Sequence, residues 1–484
     1  MPDARQRGAF APEFSESGSL IARLGDHLVG GYTVEWGLRD PERVGAESVH
    51  WDTGVSFLQS DHLTAMEAVR GHGRPHTGFI VAAARFDIPL VDEAMAAALT
   101  DFVRRHEELR SHYRSGPAGP QRWVAPPEVF EIVTAETQPR FLDHDDLGDW
   151  VGRRASENAR ADEIPGSWWG AAANESGFTF FYATDHAHGD GYSCVLAVAE
   201  IAALYRGHRT GVPPELEAAG SFGDAVLAER RAAVALDPGD DRISVWREAL
   251  GINDGRAPRC PMELGLTDDQ PEPSVSVDVE LLDEQALASC DARLGITGGG
   301  FSGLIFAALA RRHHEMTGDK EFFVSTVLAT RAPENTWTQG WLCNFAPVVV
   351  DIPSGEDTSF DSLIRTATGT MRSARRAAGV PAHAALAQLA AEGAFRGLDG
   401  SPYMVSYTDL RRLPVAGDPV VASMQMFSAL GHTRNANLWF TRSASGLAVQ
   451  SQIPDNGVAR AAIVEHLGRV AEILTEYARE GDSR

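Results

Sequence analysis

Residues 178–193 constrain this chain more than any other stretch. The run Phe178-Thr-Phe-Phe-Tyr-Ala-Thr-Asp185 is aromatic and β-branched, the composition of a buried strand. It gives way at once to His186-Ala-His188-Gly-Asp190-Gly191, whose Gly-Asp-Gly is turn chemistry. Tyr192 to Tyr205 is then rich in Ala and Leu, with Val195, Ala199 and Ala203 one helical turn apart, and predicts a helix. A strand feeding so directly into a helix sets His186 at a strand end, beside first-turn N–H groups that no helix carbonyl can satisfy. That is a place for a general base working next to an oxyanion. A His-x-His at a strand end is also what surface polar residues or two satisfied core imidazoles would give, and spacing alone does not choose.

With 484 residues, 43% of them hydrophobic, the chain has material for two cores of roughly 200 residues each. It contains no run of about 18 apolar residues, so no integral membrane segment is expected. The opening Met-Pro-Asp-Ala-Arg-Gln-Arg lacks the apolar core of a signal peptide, and a cytoplasmic protein is expected. Cys194, Cys260, Cys290 and Cys343 form no C-x-x-C, which supports neither a disulfide frame nor a zinc knuckle. A formal charge of −24 is unsuited to a nucleic-acid partner, which needs a basic face.

Other stretches fall in a definite order. Val55-Ser56-Phe-Leu-Gln59 predicts a helix start with Ser56 as N-cap. Met95, Ala98, Leu99, Phe102 and Val103 form one face of a helix that runs into Arg105-His-Glu-Glu-Leu-Arg110. The Gly/Pro break from Gly207 to Glu215 predicts a lobe boundary. It divides the chain into 1–50, an N-terminal extension packed on the first lobe, 51–212, the first lobe, and 213–484, the second. In the second lobe come Ser221-Phe-Gly-Asp224-Ala-Val226 and a glycine-rich helix entry at Thr297–Gly303 that reads as close helix packing or room for a substrate tunnel. Phe322 to Arg331 reads as a strand ending in an arginine, and Gly340-Trp-Leu-Cys-Asn344 precedes another strand.

Taken together, these stretches resemble the condensation-domain superfamily, the acyltransferases built like chloramphenicol acetyltransferase. His186-x-x-x-Asp190-Gly191 is similar to its active-site motif, and Ser56-x-x-Gln59 to its first. Arg105-His-Glu-x-Leu-Arg110, Ser221–Val226 and Gly340-x-x-x-Asn344 are similar to further motifs. The matches run from about residue 55 to 452 in family order. The likeness is greatest to stand-alone polyketide-associated acyltransferases, whose histidine motif often reads Asp-His-x-His-x-Asp-Gly and which carry a segment similar to Pro402–Pro414. Free-standing condensation enzymes of nonribosomal peptide synthesis come next.

The resemblance implies an α/β fold: two chloramphenicol acetyltransferase-like lobes in a pseudo-dimeric V arrangement, with an active-site channel between them. It implies transfer of an acyl group from a thioester, on an acyl carrier protein or CoA, to a hydroxyl acceptor. The product would be an ester of secondary metabolism or complex lipid assembly. His186 would be the general base for direct attack, since no Gly-x-Ser-x-Gly marks a covalent nucleophile. No cofactor would be bound permanently; the phosphopantetheine thioester is the donor, and a small-molecule alcohol or amine the acceptor. Asp190 would hold the loop by pairing with an arginine, for which Arg331 is the expected partner. Gly191 would leave room for the thioester and offer its N–H to the oxyanion, and Asn344 would brace the joint between lobes. Asp185 stands where many condensation domains have the first of two adjacent histidines; it orients His186 or another loop residue, or is purely structural. His188 is expected to be structural, and no metal site is expected, because His186 and His188 lack a third ligand. Two alternatives share the fold: a free-standing condensation enzyme joining carrier-bound substrates, and a non-catalytic recruiting domain. The latter usually lacks the histidine or the aspartate, both present here.

Overall fold

The aromatic run Phe178–Asp185 becomes the third strand of a six-stranded sheet, in the order 425–428, 79–86, 178–185, 167–173, 32–38, 132–138. All its pairings are antiparallel. This is a computed structural model, and it describes residues 14–17, 31–138, 144–353, 359–398, 400–415 and 417–481. Side chains alternate across a strand. Phe178, Phe180 and Tyr182 therefore meet Leu99 and Phe102 of the helix Asp92–Arg105 and Ala197 and Ile201 of the helix Gly191–Thr210. Phe181 and Ala183 point the other way, onto Trp150 and Val151 of the helix His144–Asn158. Burial on both faces is why this strand reads as an unbroken apolar run.

The second lobe is built around its own sheet, in the order 14–17, 272–283, 446–454, 437–442, 405–409. The strands Glu321–Ala329 and Cys343–Asp351 pair antiparallel, and a bridge from Ser325 to Met404 attaches them to that sheet. The helices Phe301–Thr317, Phe360–Ala377 and Gly457–Gly481 cover the core. A Cβ at Gly303 would lie 2.1 Å from Thr368 Oγ1, so the glycine-rich entry serves close packing of two helices. Among the described residues no single helix is long and apolar enough to cross a membrane.

Two of the expected boundaries need correction. Tyr32–Leu38 is an interior strand of the first-lobe sheet, paired on both sides, rather than part of an extension. Phe14–Ser17 pairs with residues 276–279, in the second lobe, not the first; residues 1–13 and 18–30 of the expected extension lie outside the described residues. Nor does 213–484 stay in one lobe. Gln425–Ser428 crosses to pair with residues 80–83, because the edge of the first-lobe sheet offers unpaired backbone groups that a strand can satisfy. Phe427 anchors this crossing strand among Phe79, Val81 and Phe181. Phe427→Ala is expected to lower stability by about 3 kcal/mol, read as a lower urea midpoint.

Candidate active site

The histidine loop is fixed by its own backbone and by the first motif. Asp185 N–H donates to Gly166 O at 3.0 Å and His186 N–H to Gly78 O at 2.8 Å. Ser56 and Gln59 form a capping box at the start of the helix Phe57–Gly71. The Gln59 amide also donates to Ala187 O at 2.8 Å, which ties the helix start to the loop. His188 is buried with Nδ1 3.1 Å from Glu108 Oε1. Glu108 also takes the Tyr113 hydroxyl and pairs with Arg122 at 2.8 Å. Arg122, fully buried, reaches Glu107 as well, at 2.8 Å. Glu107 in turn accepts from Ser221 Oγ (2.9 Å) and Gly223 N–H (3.0 Å), and Ser221 caps the helix Phe222–Val234. The Arg-His-Glu-x-Leu-Arg stretch thus supplies buried structural charge under the loop.

Asp190 joins the two lobes. It caps the helix Gly191–Thr210, its Oδ1 accepting from Ser193 N–H at 2.7 Å. The same oxygen accepts from Arg331 Nη2 at 2.9 Å, and Oδ2 accepts from Leu342 N–H at 3.0 Å. Burial pushes the Asp190 carboxyl up, but the Arg331 guanidinium and the Ser193 donors outweigh it and hold it below the usual carboxylate range. Arg331 also donates to Thr338 O at 2.5 Å and to Ser193 Oγ at 2.7 Å, with its guanidinium 4.6 Å over the Tyr192 ring. Ser193 Oγ lies 2.7 Å from Gly340 O. Its hydroxyl is therefore part of the contact between lobes rather than of helix packing. Gly340 has φ +146, and a Cβ there would sit 2.2 Å from the Phe222 ring, so this position needs glycine.

The His186 ring is partly buried against Trp341, with ring centroids 3.8 Å apart. His62 stands 6.1 Å away, its Nε2 2.7 Å from Asp185 Oδ1. Burial, joined by nearby His62, lowers the His186 pKa to about 4, while the residue's own carbonyl is the strongest opposing influence. Asp185 does not touch the His186 ring. Its carboxylate accepts from Ala187 N–H (2.8 Å) and Ala161 N–H (3.0 Å) and faces His62 and His76, which hold it far below the usual range against the effect of burial. A Cβ at Gly191 would meet only the Met426 thioether, at 3.7 Å, so the protein itself does not require glycine there. Asn344 is a correction: its amide donates to Ala378 O and Val380 O and accepts from Ala382 N–H. All of these lie in the second lobe, so Asn344 fastens a strand to a helix junction rather than bracing the lobes.

Three contributors carried no role in the sequence. His62 lies three residues after Gln59, hence on the same helix face, and that spacing was the available signal. Trp341 sits inside the Gly340–Asn344 motif, but nothing local shows that it stacks on His186. The Leu342 N–H is a backbone group with no sequence signature. Among the described residues no group of three or more His, Cys, Asp or Glu could hold a metal.

Two outcomes are expected. Arg331→Ala leaves the Asp190 charge buried and without its guanidinium, so stability falls by about 3 kcal/mol in urea unfolding. His186 and His112 have folded pKa values of about 4 and His466 about 3, all below the ordinary 6.5. The unfolded chain then binds more protons below about pH 6.5, so stability falls as pH drops toward 4. The urea midpoint should be lower at pH 5 than at pH 7, with a smaller difference in His466→Met.

No protein-family model matches the sequence. The chain is 23% identical over 448 residues to acyltransferase PapA3 of Mycobacterium tuberculosis (strain CDC 1551 / Oshkosh), covering 90% of this chain and 91% of that protein. It is 26% identical over 400 residues to trehalose-2-sulfate acyltransferase PapA2 of the same strain, covering 80% and 81%. Among solved structures, a PapA2 acyl transferase superposes with a TM-score of 0.83 at 21% identity, covering 93% of this chain and 97% of the other. The first condensation domain of the calcium-dependent antibiotic synthetase superposes with a TM-score of 0.67 at 20% identity, covering 89% and 97%. These structures share the fold, two lobes of the chloramphenicol acetyltransferase type, and the sequence matches run along most of the chain. The protein is an acyltransferase, similar in sequence to the PapA acyltransferases and in fold to a PapA2 acyl transferase and a condensation domain.

Proposed function

We propose that the protein moves an acyl group from a thioester, carried by CoA or an acyl carrier protein, to a hydroxyl of a small acceptor, forming an ester in complex lipid or secondary-metabolite assembly. The observation that carries this reading is the placement of His186: an imidazole at a strand end, beside the first turn of a helix, in a loop clamped between the lobes. The basic nitrogen of the neutral imidazole takes the hydroxyl proton as the oxygen attacks the thioester carbonyl. The Gly191 N–H, in the first turn where no helix carbonyl can accept it, donates to the oxyanion. The thiolate then leaves and recovers the proton from His186.

Among the described residues, neither Ser193 nor Cys194 is free to form an acyl-enzyme. Ser193 Oγ is held among Arg331, Asp190 and Gly340. Cys194 is fully buried, and burial pushes its thiol well above the range in which a thiolate forms. Asp190 is a structural carboxylate in this scheme, kept ionised by Arg331. A hydroxyl acceptor is favoured over an amine because one relative is named for acylating trehalose-2-sulfate. Retention of His186 and Asp190 in an intact clamp weighs against a recruiting role alone.

Single-turnover transfer should be measured from a panel of acyl-CoA and acyl-carrier donors to sugar alcohols, with wild type and His186→Ala. The expected loss in the variant is about 10²–10⁴-fold with the circular dichroism spectrum unchanged. Unaltered transfer in the variant removes His186 as base. Since kcat/KM reports the free enzyme, its acid limb should fall toward pH 4, rather than near 6.5.

A further inference from the structure

A cavity of about 360 Å³ opens in the first lobe against the start of the histidine loop. Its floor includes Tyr113, Ala161 and Asp185, the residue next to His186. One wall is the apolar side of the helix Phe57–Gly71, with Leu63 and Met66. The mouth carries Arg70, Arg74, Arg114 and Arg160 against Glu67 and Asp162. On a chain of net charge −24 this is a local reversal of sign.

The arginines are not consumed by one another's partners. Arg70 and Arg160 share the single carboxylate of Asp162. The Arg74 guanidinium has no ion pair or hydrogen bond among the described residues, and it is exposed. Arg114 has no carboxylate partner either; its Nε reaches His112 at 3.1 Å and its guanidinium lies 4.6 Å over Trp123, which fixes the plane of its fork. The carboxylate on the floor, Asp185, is faced by His62 and His76 and repels an incoming anion less than a bare carboxylate would. Guanidinium forks match the geometry of sulfate and phosphate oxygens, and the volume is that of a small-molecule site.

We propose that this arginine-mouthed cavity binds a sulfate or phosphate monoester carried by one of the two substrates, holding the rest of that molecule toward the histidine loop. The proposal rests on the acyl-transfer reading for its purpose, but binding is measurable without turnover. The anion has two sources: a sulfated sugar acceptor, or the phosphates of a coenzyme A donor.

Calorimetric titration with trehalose-2-sulfate and, separately, with coenzyme A distinguishes them. The proteins are wild type, Arg74→Glu/Arg114→Gln, and Arg231→Glu, an exposed arginine outside the cavity. The expected result is a loss of at least tenfold in affinity for one probe in the double variant, with Arg231→Glu unchanged. Loss for the sugar sulfate assigns the cavity to the acceptor, and loss for coenzyme A assigns it to the donor. Unchanged affinity for both probes, no binding of either by wild type, or an equal loss in Arg231→Glu overturns the proposal. Transfer that persists alongside any of these leaves the acyl-transfer reading standing, whereas transfer insensitive to His186→Ala counts against that reading and not against the cavity.

Discussion

The contact between Asp190 and Arg331 is the one on which the rest of the site depends. A single carboxylate caps the helix after the histidine loop, receives a guanidinium from the second lobe and takes the Leu342 N–H from the same lobe. Each partner alone would be a buried charge, which costs several kcal/mol when left unpaired. Together they fix the helix start, and with it Gly191, relative to Gly340 and Trp341. The crossing strand Gln425–Ser428 makes a second link, through backbone pairing and Phe427.

Beneath this clamp lies a layer of buried polar residues whose work is to hold a loop still. Gln59, Glu108, Tyr113, His188 and Arg122 bond to one another, so that the main chain from Asp185 to Gly189 is tied to a helix, a hairpin and a neighbouring strand. Asp185 Oδ1 lies 2.7 Å from His62 Nε2, so its carboxylate is turned to His62 and not to His186. The His186 ring is left without an ion-pair partner of its own. Desolvation and neighbouring His62 keep it neutral, which is the state a general base needs before it acts.

Much of this was legible in the residues because local chemistry and tertiary demand agree there. The aromatic run, the Gly-Asp-Gly turn and the Ala/Leu-rich helix follow each other in the structure as their side chains require, and Ser56 caps the helix expected to start there. What escaped is what depends on distant segments. Nothing near Tyr32 says that its strand will be paired on both sides, and nothing near Met426 says that its strand will leave its own lobe. The resemblance implied that Asn344 braces the joint between lobes, yet its amide turns toward Ala378 and Val380. Trp341 became a neighbour of His186 only across the two lobes, and His62 only once the helix Phe57–Gly71 packed on the histidine loop.

Direct attack by the acceptor, with a histidine as base and no covalent enzyme, is the central chemical claim. It is tested most directly by intact-mass spectrometry of the protein mixed with an accepted acyl thioester, quenched over the course of a single turnover, with and without acceptor. Ester product forming while the protein's mass stays unchanged is the expected result. An increase equal to the acyl group, appearing before product and discharged when acceptor is added, would contradict it and require a nucleophile among residues that the structure shows to be engaged or buried.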